Sequence, residues 1–366
     1  MLEKNINQKK IVLVGGGTGG SVAPLLAVAE TFRAVHPDAC FLLIGMRDSQ
    51  VEERMASSYN FFYRAIHAGK LRRYFDWQNF VDFFKIIIGF FQAISILREF
   101  APQVIFSAGS FISVPVAWAA YFLKIPVVAH QQDIIPSFSN KLILPIAKKI
   151  TISHLKSLKD FPAPKSVFTG NPVRKNIIEK ADREVALKRF NLSSNLPTVL
   201  ILGGGTGSIF LNTLVDKTLP SLLEFCQVIH LTGGRVHSDR VPFLEKSNHY
   251  WSFEFLTDDM PLAYAASDLV VSRAGLGALT ELSALGKPAI IIPMPDSHQE
   301  YNAQYFADQE AVIYLKQKEL QPNIFLEKIQ SLLRSKDRMK ILGEKNLFLY
   351  QPLAAKKIVE ILEQFC

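Results

Sequence analysis

Cysteine is scarce in this chain, which has three cysteines among its 366 residues. Cys40, Cys226 and Cys366 are too far apart for the paired spacing of a metal knuckle, and their odd number suits free thiols. Free thiols are typical of a reducing compartment. We therefore predict no disulfide and no cysteine-based metal site.

The chain also has little of the hydrophobic sequence that export or membrane insertion requires. Its opening, MLEKNINQKK, contains no apolar stretch of signal-peptide length, which favours the cytoplasm over export. Residues 80–97 form the most hydrophobic stretch, but Lys85 interrupts it. The remaining apolar runs are too short to span a bilayer.

The polar positions of that stretch recur every three or four residues, which predicts a helix with one narrow polar stripe. They are Asp82, Lys85, Gly89, Gln92 and Ser95. The basic residues Lys70, Arg72 and Arg73 lie just upstream. An apolar helix surface beside a basic cluster favours an interfacial anchor to anionic lipid, and an ordinary core helix is the alternative.

Acidic residues are fewer than basic ones, 33 against 41, which gives a formal net charge of +8. This charge favours anionic partners, and nucleic acid, phosphorylated metabolites and anionic lipid all qualify. Nucleic-acid binding calls for clustered Lys and Arg, whereas most basic residues here are scattered through helical segments. We therefore expect this protein to bind a membrane surface and not nucleic acid.

Apolar residues, in contrast, make up 49% of the chain and include 27 Phe, so the chain folds and is long enough for two domains. Short β-type runs alternate with helical stretches, which predicts parallel sheets covered by helices. The predicted strands are 11–14, 40–45, 103–109, 126–132, 149–153 and 166–170 in the first half, and 198–204, 227–233, 250–256, 268–275 and 288–295 in the second.

A glycine-rich stretch, GGGTGGSVAP at 15–24, follows the first strand and precedes a helix. GGGTGS at 203–208 repeats it 188 residues later, again between a strand and a helix. The free N–H groups at such a helix start form a ready anion site. The repeat predicts two Rossmann-like domains, joined near GNPVRK at 170–175, with a cleft between them.

The first loop leaves its ligand open. Gly15, Gly17 and Gly20 fit the dinucleotide fingerprint G-x-G-x-x-G, but the second strand ends in Met46 and Arg47 instead of an acidic residue. Arg47 could serve an NADP-dependent oxidoreductase, and a tight turn without a ligand is a further alternative.

A third glycine-rich turn, SRAGLGALTEL at 272–282, argues against the turn without a ligand. Gly275 and Gly277 open a predicted helix that carries Glu281. A backbone nest followed by a carboxylate suits the phosphates and ribose of a nucleotide. A solvated helix glutamate is the alternative for Glu281.

Several stretches together resemble the MurG family. They are GGGTGGSVAPLLAVAE, FSAGSFISVP, HQQDIIPSFSNK, TGNPVR, TDDMPLAYAASDLVVSRAGLGALTEL and HQEYNA, in this order from about residue 11 to 315. Members of that family are membrane-associated inverting hexosyltransferases, which add N-acetylglucosamine from UDP-GlcNAc to undecaprenyl-diphospho-muramoyl-pentapeptide (lipid I), giving lipid II for peptidoglycan.

The resemblance implies an α/β GT-B fold, with two Rossmann-like domains whose parallel sheets face each other across a cleft. It places an acceptor and membrane-side domain at 1–170, with a C-terminal helix at about 350–366 packing back on it, and a UDP-GlcNAc-binding domain at 171–349. It implies no cofactor and no metal, and no Asp-x-Asp pair follows a predicted strand. It also implies a peripheral location at the cytoplasmic face of the plasma membrane.

The resemblance further assigns residues to the donor. Leu256 and Thr257 fall on the uracil-reading backbone, Glu281 on the ribose carboxylate, and Gly275 to Gly277 on the pyrophosphate loop. Gln299 and Asn302 fall on positions that bind the sugar hydroxyls, for which amide side chains are suited. Arg174 and Ser208 are expected at the diphosphate.

On the acceptor side, the resemblance implies that Thr18, Gly19 and Gly20 line the site and cradle the lipid diphosphate. Phe111, where the family has the aromatic residue of G-G-Y-V-S, and Asn140 are also expected to bind the acceptor.

The sequence departs from the family at the residue that should remove the acceptor proton. The family loop reads G-G-T-G-G-H, whereas position 21 here is Ser, and an unactivated hydroxyl is a poor general base. The family's H-E-Q-N reads His130-Gln131-Gln132-Asp133 here. We therefore predict Asp133 as the general base, with Ser21 and Thr18 orienting the acceptor; a helix N-cap or a loop aspartate is the alternative, and His130 is a weaker candidate.

Rival functions remain at this stage. They are another GT-B enzyme, such as a glycolipid glycosyltransferase or a UDP-GlcNAc 2-epimerase, an NADP-dependent oxidoreductase, and a binding protein without turnover.

Overall fold

The computed structural model describes residues 8–17, 19–47, 50–69, 77–179, 181–234 and 249–366. The chain forms two compact units. Unit 1 comprises residues 1–174 and 351–366, and unit 2 comprises residues 175–350. Thr18, Lys70, Arg72 and Arg73, which the sequence analysis singled out, lie outside the described residues.

Unit 1 is built on a parallel sheet. Its strands are β1 Lys10–Val14, β2 Cys40–Met46, β3 Phe62–Ile66, β4 Val104–Ser107, β5 Val127–Gln131, β6 Lys149–Ile152 and β7 Ser166–Phe168. The strand order is β3-β2-β1-β4-β5-β6-β7. Its helices up to residue 174 are α1 Gly19–Val35, α2 Gln50–Ser58, α3 Trp77–Phe100, α4 Ser113–Phe122 and α5 Phe138–Ile143.

Unit 2 repeats this plan. Its strands are β8 Thr198–Leu202, β9 Gln227–Leu231, β10 Tyr250–Phe253, β11 Leu269–Ser272, β12 Ala289–Ile291 and β13 Ile313–Tyr314, in the order β10-β9-β8-β11-β12-β13. Its helices are α6 Lys175–Ile178, α7 Arg183–Arg189, α8 Ile209–Leu222, α9 Met260–Ala266, α10 Leu276–Leu285, α11 His298–Asp308, α12 Pro322–Arg334 and α13 Lys336–Phe348.

The last helix, α14 Ala354–Glu363, returns to unit 1 and packs against α1. Its residues Ile358, Val359, Ile361 and Leu362 are buried in the same core cluster as Phe32. Unit 1 is therefore completed by chain that follows unit 2.

The strand order reverses between β1 and β4 in unit 1, and between β8 and β11 in unit 2. The connections to the following helices diverge at such a point and leave a crevice at the carboxyl ends of the strands, where α/β proteins bind ligands. Each of the three glycine-rich turns follows one of these central strands. The two sheets therefore place every glycine-rich turn at a ligand-binding edge.

All eleven predicted strands are present, because each central strand is an apolar run buried on both faces. The prediction missed β3 and β13. β3 is an edge strand with three exposed residues among its five, and β13 has only two residues. Neither carries the apolar run that identifies a buried strand.

Two positions of the predicted polar stripe of helix α3, Gly89 and Gln92, face the rest of unit 1, whereas Ser95 is exposed. Gln92 accepts a hydrogen bond from the backbone N–H of His67 at 2.9 Å. Gly89 is buried against the same residue, since a side chain there would overlap the His67 carbonyl. The exposed side chains of α3 include Phe84, Ile87, Ile88 and Phe91. The inner side of this helix thus combines these polar positions with buried apolar side chains, and its outer side also carries large apolar side chains.

Candidate active site

A buried carboxyl group holds the first glycine-rich loop in place. Glu52, on α2, is 1% exposed, and its two oxygens accept the backbone N–H groups of Gly17 at 2.6 Å and Met46 at 2.7 Å. A methyl group on Gly16 would lie 2.8 Å from Glu52 Oε1. The loop therefore requires glycine at 16 so that this carboxyl group fits beneath it.

This contact changes the expected anion site. The N–H of Gly17 is occupied by Glu52 and is not available to a phosphate. Gly20, in the first turn of α1, is exposed. The backbone at Gly19 and Gly20 is thus the part of this loop that is still predicted to bind the acceptor.

Ser21 and Asp133 lie at the carboxyl ends of β1 and β5. Ser21 Oγ donates a hydrogen bond to the carbonyl of Gly16 at 3.1 Å. Asp133 is half-buried, two residues after β5, and its backbone carbonyl accepts a hydrogen bond from Gln131 Nε2 at 2.7 Å. Helix α5 is capped by the side chain of Ser137. The alternative that Asp133 caps this helix is therefore wrong, and Asp133 is a loop residue.

His130 is enclosed within unit 1. It is fully buried, with Nδ1 2.8 Å from Thr151 Oγ1 and Nε2 2.9 Å from Asn171 Oδ1, and both pairs are hydrogen-bonded. Burial lowers the pKa of His130 to about 4. A histidine without solvent access and with both ring nitrogens engaged is a structural residue.

The turn after β4 brings together the remaining residues assigned to the acceptor. A methyl group on Gly17 would lie 3.6 Å from the Phe111 ring, so this aromatic residue contacts the glycine-rich loop. Asn140 is 1% exposed and donates from Nδ2 to the carbonyl of His130 at 3.1 Å and to Gln131 Oε1 at 2.8 Å. Phe111 therefore lies against the first loop, while Asn140 is held against the end of β5.

In unit 2, Ser208 caps α8 and is bound by an arginine that the sequence analysis did not single out. Ser208 Oγ accepts hydrogen bonds from Leu211 N at 3.3 Å and from Arg273 Nε and Nη2 at 3.1 and 2.7 Å. Arg273 follows β11 directly, and its Nη1 donates to the carbonyls of Ile292 and Pro293, both at 3.0 Å. Burial lowers the pKa of Arg273 to about 10, so it remains charged at neutral pH.

The two loops at the switch point of unit 2 leave open space beside the backbone. A methyl group on Gly204 or on Gly275 would meet no atom within 4 Å. Gly275 is the N-cap residue of α10, and Gly277 lies in its first turn. Free backbone at a helix start beside the Arg273 cation suits a ligand with phosphate groups.

Glu281 is a buried residue of α10, not a solvated helix glutamate, so that alternative is wrong. It is 9% exposed, and its Oε2 accepts a hydrogen bond from the hydroxyl of Tyr264 at 2.9 Å. Tyr264 itself is buried on α9. The tyrosine thus fixes the orientation of the carboxyl group predicted to bind a ribose.

The other donor residues differ in exposure. Asn302 is fully buried and donates from Nδ2 to the carbonyl of Ala274 at 3.1 Å, so it holds the turn before α10. Gln299 is half-buried and accepts a hydrogen bond from the backbone N–H of Met294 at 3.0 Å. Leu256 is half-buried and Thr257 exposed in the segment after β10.

Arg174 is the last residue of the first segment of unit 1. There it hydrogen-bonds Tyr59, whose pKa is raised mainly by burial and further by Glu30, while Arg174 acts in the opposite direction. Its predicted contact with the donor diphosphate stays a prediction.

Among the described residues, no group of three or more His, Cys, Asp or Glu side chains is placed to hold a metal ion.

Each of the two α/β units has a parallel sheet with at least one glycine-rich turn at its switch point. This arrangement defines a nucleotide-binding protein made of two Rossmann-type units. A buried arginine and an oriented carboxyl group beside such turns in unit 2 suit a nucleoside diphosphate.

Comparison with known proteins identifies the family. The glycosyltransferase family 28 N-terminal domain matches residues 11–152, and the glycosyltransferase family 28 C-terminal domain matches residues 198–360. The chain therefore belongs to glycosyltransferase family 28 and is a glycosyltransferase.

Curated relatives match along nearly the whole chain. A UDP-N-acetylglucosamine--N-acetylmuramyl-(pentapeptide) pyrophosphoryl-undecaprenol N-acetylglucosamine transferase of Clostridium kluyveri is 35% identical, over 98% of this chain and 99% of the relative. A protein of the same name from Clostridium tetani is 34% identical, over 90% and 92%. The resemblance to the MurG family is thereby confirmed.

Solved structures agree on the fold. Acinetobacter baumannii MurG has a TM-score of 0.69 at 22% identity, over 98% of this chain and 99% of that one. A UDP-GlcNAc 2-epimerase from Neisseria meningitidis, bound to UDP-GlcNAc, has a TM-score of 0.68 at 15% identity, over 97% and 100%. The GT-B assignment from the sequence is therefore confirmed.

Proposed function

We propose that this protein transfers N-acetylglucosamine from UDP-GlcNAc to undecaprenyl-diphospho-muramoyl-pentapeptide, an acceptor used for peptidoglycan. The observation that carries the proposal is the 35% identity over 98% of the chain to a transferase named for this reaction. The match includes both units, so it covers the regions assigned to donor and acceptor alike.

The donor belongs in unit 2 on this proposal. Arg273 and the start of α10 supply positive charge for the diphosphate, which becomes the leaving group as UDP departs. Glu281, oriented by Tyr264, accepts hydrogen bonds from the ribose hydroxyls. Gln299 binds hydroxyl groups of the transferred sugar, while the backbone of Leu256 and Thr257 contacts the uracil. Charge on UDP is then offset by this chain's own groups.

The acceptor belongs in unit 1, and Asp133 is the proposed general base. Inversion requires that the attacking hydroxyl lose its proton as the new glycosidic bond forms, while the bond to UDP breaks. Asp133 is half-buried at the carboxyl edge of the sheet, where substrates bind, whereas His130 is enclosed. Ser21, whose hydroxyl binds the Gly16 carbonyl, orients the loop and the acceptor.

The membrane surface is the proposed source of the acceptor. Phe91 and Phe122, on the adjoining helices α3 and α4, are 63% and 65% exposed, and Phe84, Ile88 and Tyr121 are also exposed. An apolar surface of this kind in a protein of basic net charge suits the interface of an anionic bilayer. Among the described residues, no helix is both long enough and apolar enough to cross a membrane. We propose peripheral binding at the cytoplasmic face.

Release of UDP from UDP-GlcNAc, measured with and without a short-chain lipid I analogue, tests this function. We expect release that depends on the acceptor, and loss of nearly all turnover in Asp133→Asn. Lipid-dependent release that persists in Asp133→Asn would refute the base assignment and leave the transferase intact. UDP-GlcNAc binding without release would refute the transferase.

A UDP-GlcNAc 2-epimerase is the second candidate, because the fold of such an enzyme matches this chain almost as well as that of MurG. Conversion of UDP-GlcNAc to its C2 epimer without any acceptor would establish it. The family match argues against an NADP-dependent oxidoreductase, and Arg47, which such an enzyme could have used, pairs with His67 Nε2 at 2.9 Å.

A further inference from the structure

Ser110, in the turn after β4, has two unfavourable features. Its φ is +78°, in the left-handed region that disfavours residues with a side chain. Its Oγ is buried and has no hydrogen-bond partner among the described residues. Buried hydroxyl groups nearly always have a partner, so this combination is unusual for a position with a purely structural role.

The surroundings of Ser110 belong to the proposed acceptor site. Ser110 Oγ lies 4.0 Å from the position that a methyl group on Gly17 would occupy, and Phe111 contacts the same glycine. The β4 turn and the first glycine-rich loop flank the switch point of the sheet. The strained backbone therefore directs a hydroxyl group toward the edge where a ligand binds.

A second polar atom without a partner among the described residues lies beside the same turn. Asn140 Oδ1 is buried and has no hydrogen-bond partner among the described residues, while Nδ2 of the same amide is engaged twice. A methyl group on Gly109, the neighbour of Ser110, would lie 3.7 Å from this oxygen. The two contacts of Nδ2 establish which end of the amide carries the oxygen.

These two atoms together restrict the ligand. Asn140 Oδ1 can only accept a hydrogen bond, whereas the Ser110 hydroxyl can donate or accept. A diphosphate diester has only acceptor oxygens at neutral pH, so it cannot satisfy Asn140 Oδ1. A sugar hydroxyl or an amide N–H can donate a hydrogen bond to Asn140 Oδ1. A neighbouring oxygen of the same substrate can then accept a hydrogen bond from the Ser110 hydroxyl.

We propose that Ser110 is a substrate-binding residue of the acceptor site, and that its hydroxyl contacts the sugar or amide portion of the acceptor and not its diphosphate. The proposal rests on the proposed function, because it takes the acceptor to be an N-acyl sugar linked through a diphosphate. It explains why a residue with a side chain is kept in a conformation that glycine would adopt more readily.

A pair of variants separates the hydroxyl group from the backbone strain. Ser110→Ala removes the hydroxyl and keeps the strain, while Ser110→Gly removes both. Ala101→Gly is the matched control, because Ala101 also has a positive φ, +51°, but is exposed at the opposite, amino end of β4.

With the full chain, we expect both Ser110 variants to raise the KM for a lipid I analogue by about five- to tenfold, the effect of one hydrogen bond. The KM for UDP-GlcNAc and the inhibition constant of undecaprenyl diphosphate, which lacks the sugar, should not change. Ser110→Gly and Ala101→Gly should both raise the melting temperature, and Ala101→Gly should leave the acceptor KM unchanged.

An unchanged acceptor KM in Ser110→Ala would overturn the proposal, and an equal weakening of undecaprenyl diphosphate would overturn the sugar assignment. Direct calorimetric binding of the lipid I analogue separates this result from the proposed function. Binding without turnover that weakens in Ser110→Ala would support the residue and refute the transferase. No binding to the wild-type protein would refute both.

Discussion

Glu52 is a carboxyl side chain in the interior of unit 1, and its neighbour Glu53 is exposed on the same helix. Nothing in the sequence distinguishes the two, because both open an amphipathic segment. Their difference arises from the tertiary fold, which brings Gly17 and Met46 within hydrogen-bond distance of Glu52 only.

The variant Glu52→Gln should disturb the first glycine-rich loop. An amide nitrogen would face one of the two backbone N–H groups, so one charge-assisted hydrogen bond is lost, at a cost of about 2 kcal/mol. We expect a lower urea midpoint and a higher acceptor KM, with unchanged UDP binding, because the proposed donor site lies in unit 2. Glu53→Gln should match the wild type, and equal behaviour of the two variants would contradict the role of Glu52.

In unit 2, Arg273 is a half-buried charged side chain that contacts a glycine-rich loop. Its fork binds Ser208 through two nitrogens, and lysine keeps the charge but cannot make this paired contact. Arg273→Lys should therefore weaken UDP binding by about tenfold, an effect of about 1.4 kcal/mol. Titration calorimetry with UDP measures it, with Arg334→Lys on the surface of α12 as the control. Undiminished UDP affinity would show that Arg273 only supports the fold.

Some of these site residues could be identified from the sequence and others could not. Ser208 was assigned through the resemblance to the MurG family, whereas Glu281 could also be selected because it lies in a predicted helix after a glycine-rich turn. Arg273 stands at the start of the third such turn, so a signal was present, but its contact with Ser208, 65 residues away, depends on the pairing of β8 with β11. The burial of Asn302, which holds Ala274, depends likewise on packing between elements.

At the scale of elements, α3 has polar positions that contact the rest of unit 1 and large apolar side chains that are exposed. Its polar positions were predicted as a stripe, and the structure turns Gly89 and Gln92 toward His67. Apolar side chains are left on the exposed side, where burial against protein would ordinarily be expected. The period of a sequence predicts that a helix has two sides, but not which side faces the rest of the protein.

The double variant Phe84→Ser with Phe91→Ser should reduce sedimentation with vesicles that contain anionic lipid. Both side chains are half or more exposed, so their loss removes apolar area from the outer surface and not from the core. The melting temperature should stay close to that of the wild type. Phe348→Ser is the control, since Phe348 is 86% exposed in unit 2. Equal sedimentation of the double variant and the wild type would contradict the membrane surface.

At the scale of the whole molecule, the buried imidazole of His130 links stability to pH. Its pKa is about 4 in the folded protein and about 6.5 when unfolded, so unfolding takes up a proton between these values. The stabilisation is complete above about pH 6.5 and falls as the pH drops toward 4, by about 1.4 kcal/mol per pH unit. Protonation of His130 would also repel a protonated His154 nearby.

Urea unfolding at pH 7 and pH 5 checks this prediction. The wild type should lose more stability between the two pH values than His130→Gln does, because the variant has no imidazole to protonate at this site. The exposed His298→Gln should follow the wild type. A pH dependence that is the same in all three proteins would exclude His130 as the cause.

The return of α14 to unit 1 also bears on how the molecule acquires its fold. Unit 2 is one continuous stretch of chain, so every contact in its core can form once residue 350 has been synthesised. Unit 1 is interrupted, and its core around Phe32 lacks Ile358 and Leu362 until residues beyond unit 2 have left the ribosome. During synthesis the domain that begins first is therefore finished last, and its apolar surface under α14 stays uncovered while the second domain matures.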